Sequence, residues 1–477
     1  MNNFNMHRIQ FKTLTSVKFR LLVISILISL PFLVKSQLPT AKNVASKMRV
    51  GWNMGNTLEA IGGETVWGGA LTTQALIDSV KKNGFNTVRL PVAWFSHSDT
   101  ITSMIDEAWM ARVKEVVDYC INDDLYVIIN MHWDLGWLEN RVNQSNQSII
   151  EDRLYKYWIQ IADYFVDYDE HLLFAGMNEP NVEDAAGMNI LLSFHQIFID
   201  AVRETGGNNS SRCLIIQGPS TDIDKTNKLM KTLPVDEIED RLMVEVHYYT
   251  PYQFCLMSED ASWGKVFYYW GKDYHSNTDT QRNATWGEEN ELDRLFGLMK
   301  TKFVDKGIPV ILGEFGAYKR KLSAPSDQDL HNRSVEYFNK YVVKSALSKG
   351  LIPYYWDTNK GLFNRSKGVV LDQGLLTSLM QGAEEAAKVE TRVSDILQTL
   401  ELYPNPFSTS LKLNMENTEA LVRIKIFDGK GRQVESVNTS DISFTNSLGA
   451  SLNPGLYVVQ VCGENWTKTF KTLKTYH

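Results

Sequence analysis

The 477-residue sequence is poor in cysteine, has no excess of basic residues and contains one long uninterrupted hydrophobic run. Its four cysteines are far apart and form no C-x-x-C pair, so neither a zinc site nor a dense disulfide framework is indicated. A formal net charge of −7 does not point to nucleic acid as a partner. No internal repeat or low-complexity tract is present. These absences leave a soluble globular protein, long enough to divide into two folded units.

The hydrophobic run lies near the N-terminus and has the form of an export signal. Residues 21–34 (LLVISILISLPFLV) follow a basic segment, and the small residues Val34 and Ser36 precede Gln37. The run is shorter than the roughly 20 residues that cross a bilayer. We therefore predict that residues 1–36 are a cleaved secretory signal and that the mature protein is not stably inserted in a membrane.

From about Arg49 to Ala387, short apolar segments alternate with amphipathic segments of helical period. Most apolar segments are continuous, as expected for strands buried on both faces of a parallel sheet. The eight strand candidates are RVGWNM, FNTVRLPV, LYVIINMHW, LLFAGMNEP, CLIIQG, RLMVEVHYY, IPVILGEFG and LIPYYWD. The helix candidates include TTQALIDSVKKNG, EAWMARVKEVVDYC and RSVEYFNKYVVKSALSKG. Eight such units predict an α/β fold, a (β/α)8 TIM barrel, in a domain spanning residues 37–388.

Polar or aromatic residues stand at the C-terminal ends of nearly all these strands. They are Asn53, Asn56, Arg89, His132, Asn178, Glu179, His247, Tyr249, Glu314 and Trp356. The carboxyl ends of barrel strands meet at one face, where the active sites of this fold are built. Any one of these residues alone is best explained as a loop cap. So many at one rim predict a catalytic site.

Two glutamates among them fit glycosidic bond cleavage. Glu179 lies in Met-Asn-Glu-Pro at the end of the fourth strand candidate, and Glu314 lies in Gly-Glu-Phe-Gly at the end of the seventh. In a closed eight-stranded barrel these strands face each other, so both carboxyls can approach one pocket. One carboxylic acid must protonate the leaving oxygen, and one carboxylate must attack or activate water. A separation of about 5 Å predicts retention of configuration, and a wider gap predicts inversion.

These motifs resemble glycoside hydrolase family 5, within it the endoglucanase-rich group whose barrel opens with G-W-N-x-G-N-T-L-E. The resemblance covers about Ala41 to Gln381 and includes R-L-P-V, the Asn-Glu pair, H-x-Y, G-E-F-G and the tryptophan of the last strand, in that order. It implies a retaining endo-β-1,4-glucanase with Glu179 as general acid/base and Glu314 as nucleophile. It implies no cofactor and no metal.

The resemblance also implies supporting residues. Arg89 is expected beside Glu314, where a cation keeps the carboxylate ionised, and Tyr249 is expected to donate a hydrogen bond to it. Asn178 is expected to bind the sugar 2-hydroxyl. The remaining residues are His132 and His247 in the network around the pair, Trp356 as a face for the sugar ring, and Asn56, Glu59 and His97 at the next sugar on the non-reducing side.

Several alternatives stay open at this stage. His132 and His247 are potential metal ligands, although a barrel zinc site needs further His or Asp ligands and the first strand offers Asn. A catalytically inactive glycan-binding barrel is a second alternative, but both glutamates are present. Among substrates the resemblance favours β-1,4-glucan, with xyloglucan, mixed-linkage glucan and mannan as alternatives. The tryptophans of two long insertions are sugar platforms or loop core: Trp67, Trp263, Trp270 and Trp286.

The chain changes character after Ala387. A charged segment provides a predicted linker at 389–400, and residues 401–477 contain β-rich runs between turn residues, as in a small β-sandwich. The motifs Y-P-N-P-F, G-x-Y-x-V-x-V and K-T-F-K-T-L-K resemble the sorting domain of type IX secretion. This implies the type IX machinery as a partner and export through the periplasm to the medium or cell surface. The alternative is a carbohydrate-binding module, with Tyr403, Phe407, Tyr457 and Trp466 as its candidate aromatics.

Overall fold

The computed structural model describes residues 37–414, 422–439, 447–463 and 466–476. The predicted signal, residues 1–36, lies outside these ranges. From Leu38 onward the chain forms one compact unit.

Eight parallel strands close into a barrel in sequence order. They are β1 Gly51–Met54, β2 Thr87–Leu90, β3 Tyr126–Asn130, β4 Leu172–Ala175, β5 Leu214–Gln217, β6 Leu242–Tyr248, β7 Val310–Phe315 and β8 Leu351–Asp357. Each strand candidate is confirmed, and most are shorter than the apolar run that predicted them. The register pairs Asn53 with Arg89 on one side and with Trp356 on the other, so these three residues stand at one level of the barrel.

Helices alternate with the strands around the barrel, beginning with a short helix before β1. They are α1 Ala41–Ala45, α2 Gln74–Lys82, α3 Glu107–Asn122, α4 Gln147–Tyr164, α5 Ala185–Glu204, α6 Ile223–Leu229, α7 Tyr252–Cys255, α8 Glu289–Lys302, α9 Pro325–Ser348 and α10 Gln373–Thr399. Short 3-10 helices lie at Phe95–His97, Glu139–Arg141, Gly207–Ser210, Pro219–Thr221, Lys272–Tyr274, Thr280–Arg282 and Val304–Lys306. Gly84 and Gly350 adopt positive φ just after α2 and α9, the conformation that a helix C-terminus favours. Helix α9 starts earlier than its predicted segment because Pro325 provides the first turn.

The core has an outer layer and an inner layer. The outer layer joins the strands to the surrounding helices, and the inner one fills the lower barrel with residues such as Ile128, Ile215 and Ile311. Helix α1 covers the bottom through Ala41 and Val44. The polar residues singled out in the sequence lie above this inner layer, at the end of the barrel where the strand ends converge.

Helix α5 is long and apolar enough by composition to cross a membrane. In the structure its residues Leu191, Phe194 and Phe198 are buried in the barrel core. Its apolar character is therefore explained by packing against the sheet.

The last helix, α10, extends past the barrel into the C-terminal module. Residues 389–399, predicted as part of a linker, are helical in the structure. The segment has no glycine or proline, and Ile396 and Leu400 lie on one side, where they join the core of the module. Lys468 donates to the carbonyl oxygens of Leu397 (2.5 Å) and Leu400 (2.7 Å), which satisfies the end of the helix.

The C-terminal module consists of two antiparallel sheets. A two-stranded sheet contains β9 Glu401–Tyr403 and β10 Lys412–Asn414. A four-stranded sheet has the order β12-β11-β13-β14 and contains β11 Val422–Asp428, β12 Gln433–Thr439, β13 Gly455–Cys462 and β14 Thr467–Lys474. Leu413 of one sheet and Ile424 and Val459 of the other share a core.

Candidate active site

The two glutamates singled out in the sequence converge at the upper end of the barrel. Glu179 follows β4 on a loop, and Glu314 lies within β7. One carboxylate oxygen of each residue and a ring nitrogen of His247 all lie within 4.8 Å of one another. The carboxyls therefore approach closely enough for both to act on one bond.

Glu314 is the more enclosed of the two carboxylates. Nη1 of Arg89 lies 3.0 Å from Oε1, and the hydroxyl of Tyr249 donates to Oε2 at 3.0 Å. The side chain is 8% exposed, against 44% for Glu179. The structure thus brings together the three residues Arg89, Tyr249 and Glu314 that the sequence placed on different strands.

Arg89 is buried beneath Glu179 and Glu314 and contacts four side chains. Besides Glu314, its guanidinium donates to the side-chain oxygens of Asn53 (3.0 Å) and Asn178 (2.9 Å). Its Nε lies 2.9 Å from Oε1 of Glu245, a residue that is 0% exposed. Arg89 is therefore held beside Glu314 by contacts with three further side chains, those of Asn53, Asn178 and Glu245.

His247 lies between two carboxylates. Its Nδ1 is 2.6 Å from Oε1 of Glu179, and its Nε2 is 3.3 Å from Oε1 of Glu245. Burial lowers the pKa of His247, but the negative charges of Glu314, Glu179 and Glu245 outweigh it and raise the pKa to about 10. His247 is thus an imidazolium at neutral pH.

The pKa values of the two carboxyls are shifted in opposite directions. Burial raises the pKa of Glu179, but the hydrogen bond and charge of His247, with the charge of Arg89, bring it below the usual value. Burial raises the pKa of Glu314, and the charges of His247 and Arg89 only partly oppose this. In the resting site the proton between Glu179 and His247 is therefore held on the imidazole side.

The rings of His132 and Trp356 stack on each other beside the two glutamates. Their rings are 5.7 Å apart with planes 13° from parallel. Burial, with the nearby charges of Arg89 and His247, lowers the pKa of His132 well below its usual value, so the imidazole is neutral. Gly55 leaves room for the indole, because a Cβ there would lie 2.7 Å from the Trp356 ring.

The three residues predicted to bind the next sugar, Asn56, Glu59 and His97, have different surroundings in the structure. Glu59 is 2% exposed, and its carboxylate accepts from the backbone amides of Asn56 and, at 2.9 Å, Thr57. Burial raises the pKa of Glu59 to about 7. Glu59 therefore holds the backbone of the loop, whereas Asn56, at φ 58°, and His97 are half-buried. His97 stacks on Trp109 with ring centroids 3.7 Å apart.

Sequence reasoning missed Glu245 and its neighbour Gln217. Nε2 of Gln217 donates to Oε2 of Glu245 at 2.6 Å, and both residues are buried. A signal was present, since Glu245 is the one acidic residue in the apolar run LMVEVHYY and stands two residues before His247. Residues two apart in a strand point to the same face, so both side chains point inward.

The tryptophans of the long insertions separate into two groups. Trp270 is 0% exposed and belongs to the loop core, where its Nε1 donates to the carbonyl of Gly287 at 2.9 Å. Trp67, Trp263 and Trp286 are 44%, 64% and 48% exposed. Of these four tryptophans, only the exposed three have rings accessible to a ligand.

Two family descriptions match separate parts of the chain. Residues 52–361 match Cellulase (glycosyl hydrolase family 5), and residues 401–475 match the secretion system C-terminal sorting domain. Endoglucanase A of Paenibacillus barcinonensis is 35% identical over 72% of this chain and 90% of its own length. A xyloglucan-specific endo-β-1,4-glucanase of Bacteroides ovatus is also 35% identical, over 72% of this chain and 70% of its own length.

Solved structures that resemble this chain are also family 5 glucanases. A family 5 xyloglucan-specific β-1,4-glucanase from a ruminal metagenomic library, in complex with XXLG, is 43% identical with a TM-score of 0.67; the match covers 73% of this chain and 97% of that chain. A broad-specificity endoglucanase from Ruminococcus champanellensis with bound cellotriose is 31% identical with a TM-score of 0.62, covering 73% of this chain and 100% of that chain.

Proposed function

Since the chain belongs to the cellulase family, glycosyl hydrolase family 5, and is therefore a glycoside hydrolase, we propose that it is a retaining endo-β-1,4-glucanase acting on cellulose and related β-glucans. The observation that carries the proposal is the approach of the carboxylate oxygens of Glu179 and Glu314 to within 4.8 Å. Retaining enzymes hold their carboxyls about 5 to 5.5 Å apart, whereas inverting enzymes need a wider gap for a water molecule.

Glu314 is the nucleophile in this proposal. Its carboxylate attacks the anomeric carbon while Glu179 gives a proton to the leaving glycosidic oxygen, which forms a glycosyl ester. Glu179 then takes a proton from water, the water oxygen attacks the anomeric carbon, and Glu314 leaves as a carboxylate. The contacts of Arg89 and Tyr249 with Glu314 support this division, because both stabilise a negative charge there.

The surrounding residues bind and orient the sugars. Asn178, fixed by Arg89, is proposed to bind the 2-hydroxyl, and Trp356, supported by His132, to contact the ring at the cleavage site. Asn56 and His97 are proposed to contact the next sugar on the non-reducing side. Glu59 contributes there by holding the backbone of Asn56.

Xyloglucan is the second candidate substrate. It is favoured by the 43% identity to a xyloglucan-specific enzyme and by the xyloglucan-specific relative in Bacteroides ovatus. Reducing-sugar release from carboxymethylcellulose, mixed-linkage glucan, xyloglucan, xylan and mannan separates the candidates. We expect the glucans to be cut. Cleavage of mannan alone would replace the substrate assignment, and no cleavage of any polymer that is nevertheless bound would indicate an inactive glycan-binding barrel.

The roles of the two glutamates are tested by replacing Glu179 with alanine and adding azide. Without the acid, substrates with poor leaving groups should react far more slowly than activated aryl glycosides. Azide can enter the vacated space and attack the glycosyl ester, so we expect a β-glycosyl azide with configuration retained. An α-azide would move the nucleophilic role to Glu179.

The C-terminal sorting domain implies export to the medium or the cell surface. We propose that the route is type IX secretion through the periplasm, with the sorting domain as the segment that the machinery binds.

A further inference from the structure

A third carboxylate lies beneath the proposed catalytic pair. Glu245 is on β6, points into the barrel with His247 and is 0% exposed. A buried carboxylate is unfavourable unless charges and hydrogen bonds compensate it. No step of the proposed hydrolysis uses this carboxylate.

The compensation comes from elements on both sides of β6. Arg89 of β2 lies 2.9 Å from Oε1, Gln217 of β5 donates to Oε2 at 2.6 Å, and Nε2 of His247 is 3.3 Å from Oε1. On β7, a Cβ at Gly313 would lie 2.0 Å from the same oxygen, so the glycine before the nucleophile gives the carboxylate its space. Four further titratable groups interact with this cluster: Glu314 of β7, Tyr354 of β8, His132 after β3 and Tyr249 after β6.

The two cations that touch Glu245 also touch the pair, and Nδ1 of His247 lies 3.8 Å from Oε2 of Glu314 as well as beside Glu179. Arg89 is 3.0 Å from Glu314, and His247 is 2.6 Å from Glu179. Glu245 therefore influences both carboxyls through Arg89 and His247. Its negative charge stabilises the proton on His247 and competes with Glu314 for the charge of Arg89.

We propose that Glu245 is a positioning residue that keeps His247 an imidazolium, so that the His247 and Glu179 side chains together store the proton for the leaving group. The inference rests on the proposed function. In the resting enzyme Nδ1 of His247 carries the proton. On cleavage the Nδ1–H bond breaks as Oε1 of Glu179 takes the proton, Glu179 passes it to the glycosidic oxygen, and a neutral imidazole remains until water returns a proton to the pair.

The test is the pH profile of kcat/KM for the Glu245→Gln variant. Without the charge of Glu245 the pair holds its proton less strongly, so the alkaline limb moves to lower pH by about one unit or more. Arg89 then acts more fully on Glu314, so the acidic limb also moves to lower pH. A profile that keeps its position while activity falls uniformly would overturn the proposal, since a merely structural residue has that effect.

Two matched variants separate charge from packing. Glu245→Asp keeps the charge and should keep the position of the profile even if the rate falls. Gln217→Leu removes a hydrogen bond to Glu245 but no charge and should also leave the position unchanged. A shift in either variant as large as that of Glu245→Gln would count against the proposal.

A measurement on the unaltered protein covers the case in which Glu245→Gln does not fold. Nuclear magnetic resonance of histidine-labelled enzyme should find His247 protonated at pH 8, since its pKa is raised to about 10. A neutral His247 at pH 7 would overturn the inference whatever the substrate. Absence of glycanase activity in the unaltered enzyme would instead overturn the proposed function and leave this measurement meaningful.

Discussion

At the scale of single residues, the surroundings of a carboxyl decide its chemistry. Glu314 is enclosed and held by Arg89 and Tyr249, whereas Glu179 has 44% of its side chain exposed. An enclosed, fixed carboxylate suits attack on carbon, and an exposed one suits proton exchange with a leaving group and with water.

Replacing Glu314 with glutamine should abolish turnover and keep oligosaccharide binding. The substitution removes the nucleophile without changing the shape of the cleft, so we expect activity to fall on the order of a thousandfold or more. Calorimetry with an inert cello-oligosaccharide measures the binding. Loss of binding together with activity would make Glu314 a structural residue.

The acidic limit of activity should lie above the pH at which a free glutamate titrates. Burial raises the pKa of Glu314, and the enzyme loses its nucleophile as the pH falls through that raised value. The acidic limb of kcat/KM for a soluble aryl cellobioside measures it. A limb at or below the ordinary glutamate range would indicate that Arg89 dominates the environment of Glu314.

Most residues of the candidate site could be predicted because each ends a strand whose apolar run is visible in the sequence. Arg89, Tyr249 and Asn178 are examples, and the structure brings them into contact with the pair or with each other. Glu245 could not be assigned a task, because its partners Arg89 and Gln217 lie on other strands. The sugar-binding role of Glu59 stays a prediction, and its contacts could not be foreseen, since the backbone amides that bind its carboxylate become neighbours only when the loop folds.

At the scale of elements, the insertion between β6 and α8 contains an exposed and a buried tryptophan. Trp263 is 64% exposed and contacts Tyr252 with ring centroids 6.1 Å apart. Trp270 is buried and lies 5.0 Å from the ring of Phe338 on α9. The ring of Trp263 is accessible from solvent, and Trp270 attaches the insertion to the barrel.

These positions predict opposite effects of alanine substitution. Trp263→Ala should raise KM for polysaccharide about three- to tenfold, the value of one aromatic contact, with little change in unfolding temperature. Trp270→Ala, its matched control, should destabilise the protein by about 3 to 5 kcal/mol. Steady-state kinetics and thermal unfolding measure both. An unchanged KM for Trp263→Ala would assign that ring no part in binding.

The strands were predictable from their continuous apolar runs, but the end of α10 was not. The charged segment after Ala387 reads as a linker until the two sheets of the module fold against Ile396 and Leu400. Burial of these two side chains depends on residues far along the chain, such as Ile424 and Val459. Local composition carries no information about such contacts.

At the scale of the whole molecule, the barrel and the module share one helix but no catalytic residue. Deleting Glu401–His477 should therefore leave the purified enzyme active, with only the exposed Ile396 and Leu400 as a modest cost to stability. In its native host the truncated enzyme should remain in the periplasm. Activity assays on periplasmic and culture fractions measure this. A truncated enzyme that reaches the medium but no longer adheres to cellulose would identify a carbohydrate-binding module.

Helix α10 also fixes an orientation. Its 27 residues, about 40 Å at 1.5 Å per residue, start beside the catalytic rim and pass the barrel bottom, where Arg49 donates to the carbonyl of Ala383 at 3.4 Å. The C-terminal module is thus attached at the end of the barrel opposite the cleft. If a cell retains the protein by this module, the cleft faces outward, towards insoluble polymer too large to approach the envelope. Helix α10 would then act as a spacer that holds the active-site cleft away from the cell surface.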